Sequence, residues 1–119
     1  MTKHNQTIGA WGEQIAVEYL VSKGREIIAR NIRTPYGEID IIARQNDITI
    51  FVEVKTLSGK QNFFPEHNIT PRKREHMLAC ATHYCSENEI DHWQIDVIAI
   101  EGIPGKEPVL TYFENAITW

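Results

Sequence analysis

Two oppositely charged residues stand in an otherwise apolar stretch, Phe51-Val52-Glu53-Val54-Lys55. Alternate residues of a strand share a face, so Glu53 and Lys55 point to one side and the valines point to the other. The apolar flanks predict a central strand, where a charge is costly to bury unless it is paired or binds a metal ion. Taken alone, the pattern is more typical of a solvated strand face that carries a weak ion pair.

A second pair of acids strengthens the functional interpretation. Glu38 and Asp40 alternate with Ile39 and Ile41, so the acids are predicted to share the strand face opposite the isoleucines. A turn follows this strand and predicts a hairpin that brings Asp40 near Glu53. Two converging carboxylates repel each other, and Mg²⁺, which prefers oxygen ligands, relieves that repulsion.

A third acid comes from the first predicted helix. Glu13 borders the buried stripe of that helix and lies on the side of Leu20. A helix packed on the sheet would deliver the Glu13 carboxylate to the same cluster. The sequence therefore predicts that acids distant in the chain meet around one cation.

This set of residues predicts metal-dependent hydrolysis of a phosphodiester. Asp40 and Glu53 would hold Mg²⁺, for which Mn²⁺ can substitute, and the metal would polarise the phosphate and bind the attacking water. Lys55 would orient or help deprotonate that water, or neutralise charge in the transition state. Glu13 would complete the metal shell or position a water, and Glu38 is a further candidate ligand.

The elements that must position these residues follow from hydrophobic periodicity and turn signals. They predict one α/β domain over residues 1–119, with a mixed sheet flanked by helices in the order α-β-β-β-α-β-β. The predicted helices cover about 9–23 and 71–86, and the predicted strands cover 27–29, 38–44, 48–55, 93–100 and 109–113. A connection over 56–70 is predicted to be a functional loop.

Composition narrows the classes of protein. The formal net charge of −4 argues against a protein that holds nucleic acid by bulk positive charge, but it does not exclude a nuclease whose own carboxylates lower the net charge. Signal-peptide-like and membrane-spanning runs are absent from the sequence, which predicts a cytoplasmic protein with no membrane partner. Cys80 and Cys85 are predicted to be reduced, buried thiols.

Basic and aromatic residues supply candidate contacts to nucleic acid. Basic side chains could contact phosphates, and aromatic rings could stack on unpaired bases. The candidates are Arg30, Arg33, Lys60, Phe63, Phe64, Arg72 and Lys73. Each is also compatible with ordinary surface or loop-anchoring roles. His76, Cys80 and His83 share a predicted helix face and leave a zinc site as an alternative, although a fourth ligand is not evident.

The spacing of the charged residues resembles a known signature. Asp40 followed by Glu53-x-Lys55 is similar to the motif of the PD-(D/E)XK, restriction-endonuclease-like nucleases, and the helical Glu13 resembles the accessory acid of Holliday-junction resolvases in that superfamily. More closely, the chain resembles the YraN-like family of small bacterial proteins over nearly its whole length. The matching motifs are Gly12-Glu13-x-x-Ala16, Arg30-Asn31, Gly37-Glu38-Ile39-Asp40, Phe51-Val52-Glu53-Val54-Lys55 and Gln94-Ile95-Asp96-Val97.

The resemblance implies a restriction-endonuclease-like core fold and Mg²⁺-dependent cleavage of nucleic acid, with DNA, including branched DNA, as the expected partner. It implies that Asp40 and Glu53 bind the metal, that Lys55 is the base or charge stabiliser, and that Glu13 is the accessory acid. Ile39 replaces the proline of the signature. A homodimer is expected only by analogy. The alternatives are an inactive nucleic-acid-binding module, or a protein-interaction subunit that uses Phe63, Phe64 and the segment 113–119.

Overall fold

The computed structural model describes residues 3–57 and 62–119, and the side chains from residue 8 onward. The helices are α1 (Lys3–Ser22), α2 (Pro65–Asn68) and α3 (Pro71–Asn88). The strands are β1 (Glu26–Thr34), β2 (Gly37–Gln45), β3 (Ile48–Leu57), β4 (Trp93–Glu101) and β5 (Val109–Ile117). Within the described residues, no helix is both long enough and apolar enough to cross a membrane.

The described strands form one sheet in the order β1-β2-β3-β4-β5. The β3–β4 pair is parallel and the other three pairs are antiparallel. The predicted mixed sheet, the β2–β3 hairpin, the central position of β3 and the edge position of β5 are therefore confirmed. The predicted order of elements is also confirmed, with the four-residue α2 as an addition within the predicted connection.

The helices cover opposite faces of the sheet. On one face, Ala16 and Leu20 of α1 pack in a buried cluster with Val52 of β3. On the other face, Leu78 of α3 packs in a second cluster with Phe51. Because neighbouring residues of β3 point to opposite faces, this strand carries both clusters, which explains its nearly continuous apolar sequence.

Helix α3 begins as the sequence predicts. Thr70 is the N-cap, its side-chain oxygen accepts the backbone N–H of Lys73 at 3.1 Å, and Pro71 is the first helical residue. The start of α3 is therefore fixed at the place where the chain returns to the sheet.

Cys80 and Cys85 are free and buried, as predicted. Burial raises the pKa of the Cys85 thiol to about 11.

The predicted face pattern of β2 is wrong in one respect. Ile39 is buried in the α3 cluster and Ile41 in the α1 cluster, so the two side chains lie on opposite faces of the sheet. On the paired strand β1, Asn31 has a φ of 51°, a left-handed conformation that asparagine tolerates better than most residues. The alternation of β2 is interrupted at Asp40, whose side chain turns toward the backbone of Val54.

Candidate active site

The site begins where two strands separate. The β2–β3 ladder ends at the pair Ile41↔Val52, whereas β3 stays paired with β4 as far as Leu57↔Glu101. Beyond the fork, Oδ2 of Asp40 accepts the backbone N–H of Val54 at 2.9 Å. The Asp40 carboxylate thus takes up a donor that β2 no longer reaches, and the opening between the strands becomes the floor of a cleft.

A close helix–sheet contact brings the third acid to this cleft. A Cβ atom added at the buried Gly12 would lie only 2.2 Å from Cγ2 of Thr56, so the glycine lets α1 approach β3 closely. The next residue, Glu13, is half-buried and lines the same cleft. The absence of a side chain at position 12 therefore helps to place the Glu13 carboxylate.

Four predicted site residues border one cleft of about 470 Å³. Glu13 of α1, Asp40 of β2, and Glu53 and Lys55 of β3 all line it. The opposite wall comes from the segment before α3 and from the first turn of that helix, including Thr70. The four residues therefore lie around the same cleft, but within the described residues no three of the acids are close enough to hold one metal ion, and the chemical roles of all four remain predictions.

The carboxyl groups in the cleft disfavour one another's charged forms. The pKa of Asp40 is raised to about 8, first because the side chain is buried and second because the Glu53 carboxylate lies close to it. The hydrogen bond from Val54 opposes the shift, while a proton shared with Glu53 and the charge of Glu13 add to it. The Asp40 carboxyl group therefore holds a proton more readily than an exposed aspartate does.

Asn31, which was not among the predicted site residues, links Glu13 to Glu38. With its amide nitrogen turned toward the carboxylates, Asn31 donates to Oε1 of Glu13 at 3.1 Å and to Oε1 of Glu38 at 3.2 Å. Burial raises the pKa of Glu13, the nearby Arg30 lowers it, the charge of Glu38 raises it, and the Asn31 hydrogen bond lowers it. Two features of the sequence could have indicated a role for Asn31: asparagine is uncommon in strands, and Arg30-Asn31 is one of the matching motifs.

Two lysines approach the acids in different ways. Nζ of Lys73 lies 3.1 Å from Oε1 of Glu53, and the two side chains are 52% and 19% exposed. Lys55 is exposed and lines the cleft, but its ammonium is in none of the ion pairs within the described residues. Lys73, which was predicted as a nucleic-acid contact, is therefore also the direct partner of a predicted metal ligand.

The residues that line the cleft fit an open magnesium site better than a metal site closed by protein ligands. Within residues 3–57 and 62–119, no three His, Cys, Asp or Glu side chains are gathered in a geometry ready to hold a metal. Mg²⁺ usually binds to one or two carboxylates and keeps several waters, so the neighbouring Asp40 and Glu53 would be enough to hold it. The alternative zinc group does not assemble: Cys80 accepts the hydroxyl of Thr34, and His83 packs against a tyrosine ring.

The other predicted nucleic-acid contacts have different surroundings. Nη1 of Arg30 donates to Oε1 of Gln14 at 3.2 Å, whereas Arg33 and Arg72 are exposed. Phe63 is half-buried and lines the cleft, and its ring centroid lies 6.0 Å from that of a β5 phenylalanine. Phe64 is 47% exposed. Lys60 lies outside the described residues.

Fold and site together define an α/β domain with an acid cluster at the fork of a mixed sheet. The profile of the Uncharacterised protein family UPF0102 matches residues 12–100. The chain belongs to this family, which confirms the resemblance to the YraN-like proteins.

Relatives match over nearly their whole length. A UPF0102 protein of Syntrophotalea carbinolica is 41% identical over 118 residues, which cover 98% of this chain and 95% of the relative. A UPF0102 protein of Desulfitobacterium hafniense is 38% identical over 120 residues, which cover 97% and 99%. Among solved structures, Pyrococcus furiosus SfsA in complex with Ca²⁺ has a TM-score of 0.39 and 14% identity, over 90% of this chain and 64% of that chain.

Proposed function

We propose that the protein is a metal-dependent nuclease that hydrolyses phosphodiester bonds in DNA, including branched DNA. The observation that carries this proposal is the convergence of Glu13, Asp40, Glu53 and Lys55 on one cleft. The raised pKa of Asp40 supports it: burial is the main cause, the nearby Glu53 carboxylate adds to it, and a divalent cation would relieve that repulsion.

The position of each residue suggests its role in the reaction. Asp40 and Glu53 would hold Mg²⁺ or Mn²⁺, which when bound supplies Lewis-acid polarisation of the phosphate and a more acidic water. Glu13, on the opposite side of the cluster, would orient a water. The exposed Lys55 ammonium would stabilise negative charge on the reacting phosphate or take part in water deprotonation.

Recognition of the substrate would be local, because the net charge of −4 gives no general attraction to DNA. The exposed Arg33 and Arg72 could contact phosphates of the substrate. The exposed ring of Phe64 could stack on an unpaired base. Activity in the cytoplasm, where free cysteines persist, is part of the proposal.

A cleavage screen tests the proposal. Branched, flapped and single-stranded DNA, with RNA counterparts, would be incubated with Mg²⁺ or Mn²⁺, and with EDTA as the metal-free control. We expect metal-dependent products from the wild type and none from Asp40→Asn or Lys55→Ala. Asp47→Asn is the matched control, because it removes an exposed carboxylate from the turn at the other end of the same hairpin. Absence of metal-dependent cleavage on every substrate would contradict the proposal.

A second candidate is a nucleic-acid-binding module without catalysis. The observation that favours it is the Lys73–Glu53 ion pair, since an ammonium already neutralises part of the acid cluster. Nucleic-acid binding that is unchanged by EDTA and by Glu53→Ala, without cleavage, would select this function over the nuclease.

A further inference from the structure

The Lys73–Glu53 ion pair differs in location from the other ion pairs of the described residues. Of the three ion pairs within the described residues, it alone borders the cleft, and the other two join Arg25 to Glu114 and Arg44 to Glu26. The Lys73 side chain is 52% exposed, and exposed ion pairs contribute little to stability. The pair therefore has little value as a fold-stabilising contact.

The backbone holds Lys73 at the mouth of the cleft. Its N–H is bound by the side chain of the N-cap Thr70, so the residue sits in the first turn of α3. Its ammonium contacts Oε1 of Glu53, and Asp40 lines the same cleft.

We propose that Lys73 is a positioning residue that acts as a latch on the acid cluster: its ammonium holds Glu53 until a divalent cation displaces it. The inference rests on the proposed function, because it concerns the same site. An ammonium and a divalent cation that share one carboxylate repel each other, so the ion pair weakens cation binding. When displaced, Lys73 stays beside the cleft and can pair with a phosphate oxygen of the substrate.

This arrangement links cation binding to substrate binding. A phosphate that draws Lys73 away from Glu53 also removes the competitor of the cation, so each ligand increases the affinity for the other. The site would then bind its metal weakly when DNA is absent and more tightly when DNA is present. The ion pair between Lys73 and Glu53 would thus keep the metal site largely empty until DNA binds.

Calorimetric titration of the full chain with Mn²⁺ alone tests the latch. Wild type would be compared with Lys73→Met, which keeps most of the aliphatic stem, and with Lys73→Gln, whose amide can still bind Glu53. Arg74→Gln is the control, because it removes a charge from the next residue of the same helix without breaking an ion pair within the described residues. Circular dichroism would confirm that every variant is folded.

We expect Lys73→Met to bind Mn²⁺ about fivefold more tightly than the wild type, with a smaller gain for Lys73→Gln and almost none for Arg74→Gln. A residue with a merely structural role would weaken binding when replaced, not tighten it. Equal or weaker binding by Lys73→Met, with measurable binding by the wild type, would overturn the latch and leave the nuclease proposal intact. Failure of all variants to bind Mn²⁺ would overturn the latch together with the proposed metal site.

Discussion

Two aspartates lie on the strands on either side of β3, Asp96 buried and Asp40 half-buried, and their surroundings differ sharply. Asp96 of β4 is fully buried and accepts three hydrogen bonds: from Nε2 of Gln94 at 2.9 Å, from the backbone N–H of Asn115 at 2.7 Å, and from the hydroxyl of Tyr112. Asp40 of β2 accepts one backbone N–H and otherwise faces other carboxylates across a cleft.

The difference separates a structural acid from a candidate functional one. The donors around Asp96 come from β4 and from an irregular stretch of β5, where Asn115 has a φ of 50°. Burial and the hydrogen bond to Asp96 raise the pKa of Tyr112, so the phenol remains a donor. Because the protein itself satisfies Asp96, this carboxylate needs no external partner. Asp40 lacks such compensation, and a cation would supply it.

The largest expected effect comes from exchanging each acid for its amide. Asp40→Asn should reduce metal-dependent cleavage by about a hundredfold or more without loss of stability, because it removes repulsion inside the cluster. Asp96→Asn should lower the free energy of unfolding by about 2–3 kcal/mol, because an amide NH₂ would replace one acceptor among donors. The measurements are initial cleavage rates and urea unfolding.

The comparison would fail if the two variants exchanged phenotypes. A strongly destabilised Asp40→Asn would show that this carboxylate is part of the framework. A stable but inactive Asp96→Asn would place the catalytic centre on the other side of β3.

Stability should depend on pH in a way that identifies Asp40. Its pKa is near 8 in the folded protein and near 3.8 as the ordinary value, so between these values the folded state binds more protons than the unfolded state. The free energy of unfolding should therefore fall as the pH rises from about 4 to about 8. The fall should be smaller in Asp40→Asn, where only acids such as Glu13, whose pKa is also raised, still contribute.

Chemical unfolding at several pH values, without divalent cations, would measure this dependence. Asp47→Asn provides the control, since its carboxylate is exposed in a turn. Identical pH profiles for the wild type and Asp40→Asn would show that folding does not raise the pKa of the Asp40 carboxyl group.

The sequence predicted the sheet well because the apolar strands β3 and β4 and the capped helix α3 have strong local signals. It underestimated β1, which extends from Glu26 to Thr34, because polar residues interrupt its alternation after residue 29. It missed α2, since four residues give no helical periodicity.

The site was predictable only in part. Strand spacing and the hairpin predicted that Asp40 comes near Glu53, and both residues line the same cleft, although the β2–β3 ladder ends one pair earlier, at Ile41↔Val52. The switch of face at Asp40 was not predictable from alternation, because it coincides with the left-handed Asn31 on a strand that was only partly recognised. The contact of Lys73 with Glu53 depends on how α3 returns to the sheet, which local sequence does not encode.

A smaller effect is expected from Gly12→Ala. Alanine is intrinsically better in a helix by about 1 kcal/mol, but the new methyl group would meet the γ-methyl group of Thr56, a side chain that is stiff about χ1. We expect a net loss of about 1 kcal/mol in the free energy of unfolding, with a lower cleavage rate as Glu13 shifts. Gly9→Ala is the matched control, because the same helix has open space there.

The smallest effect on stability is expected at the rim of the cleft. Phe64→Ala should change the free energy of unfolding by less than about 0.5 kcal/mol, because the ring is 47% exposed, yet it should weaken binding of single-stranded DNA. Phe63→Ala should cost about 2 kcal/mol of stability, because its ring packs into the α3 cluster. Unchanged DNA affinity of Phe64→Ala would remove this residue from the proposed interface.

The most direct measurement of the central claim is an anomalous difference map from crystals soaked in Mn²⁺. We expect a peak between the carboxylates of Asp40 and Glu53, with Glu13 nearby and the Lys73 ammonium moved away from Glu53. A map without a peak at the fork, with Lys73 still bound to Glu53 at saturating Mn²⁺, would contradict the proposed metal site.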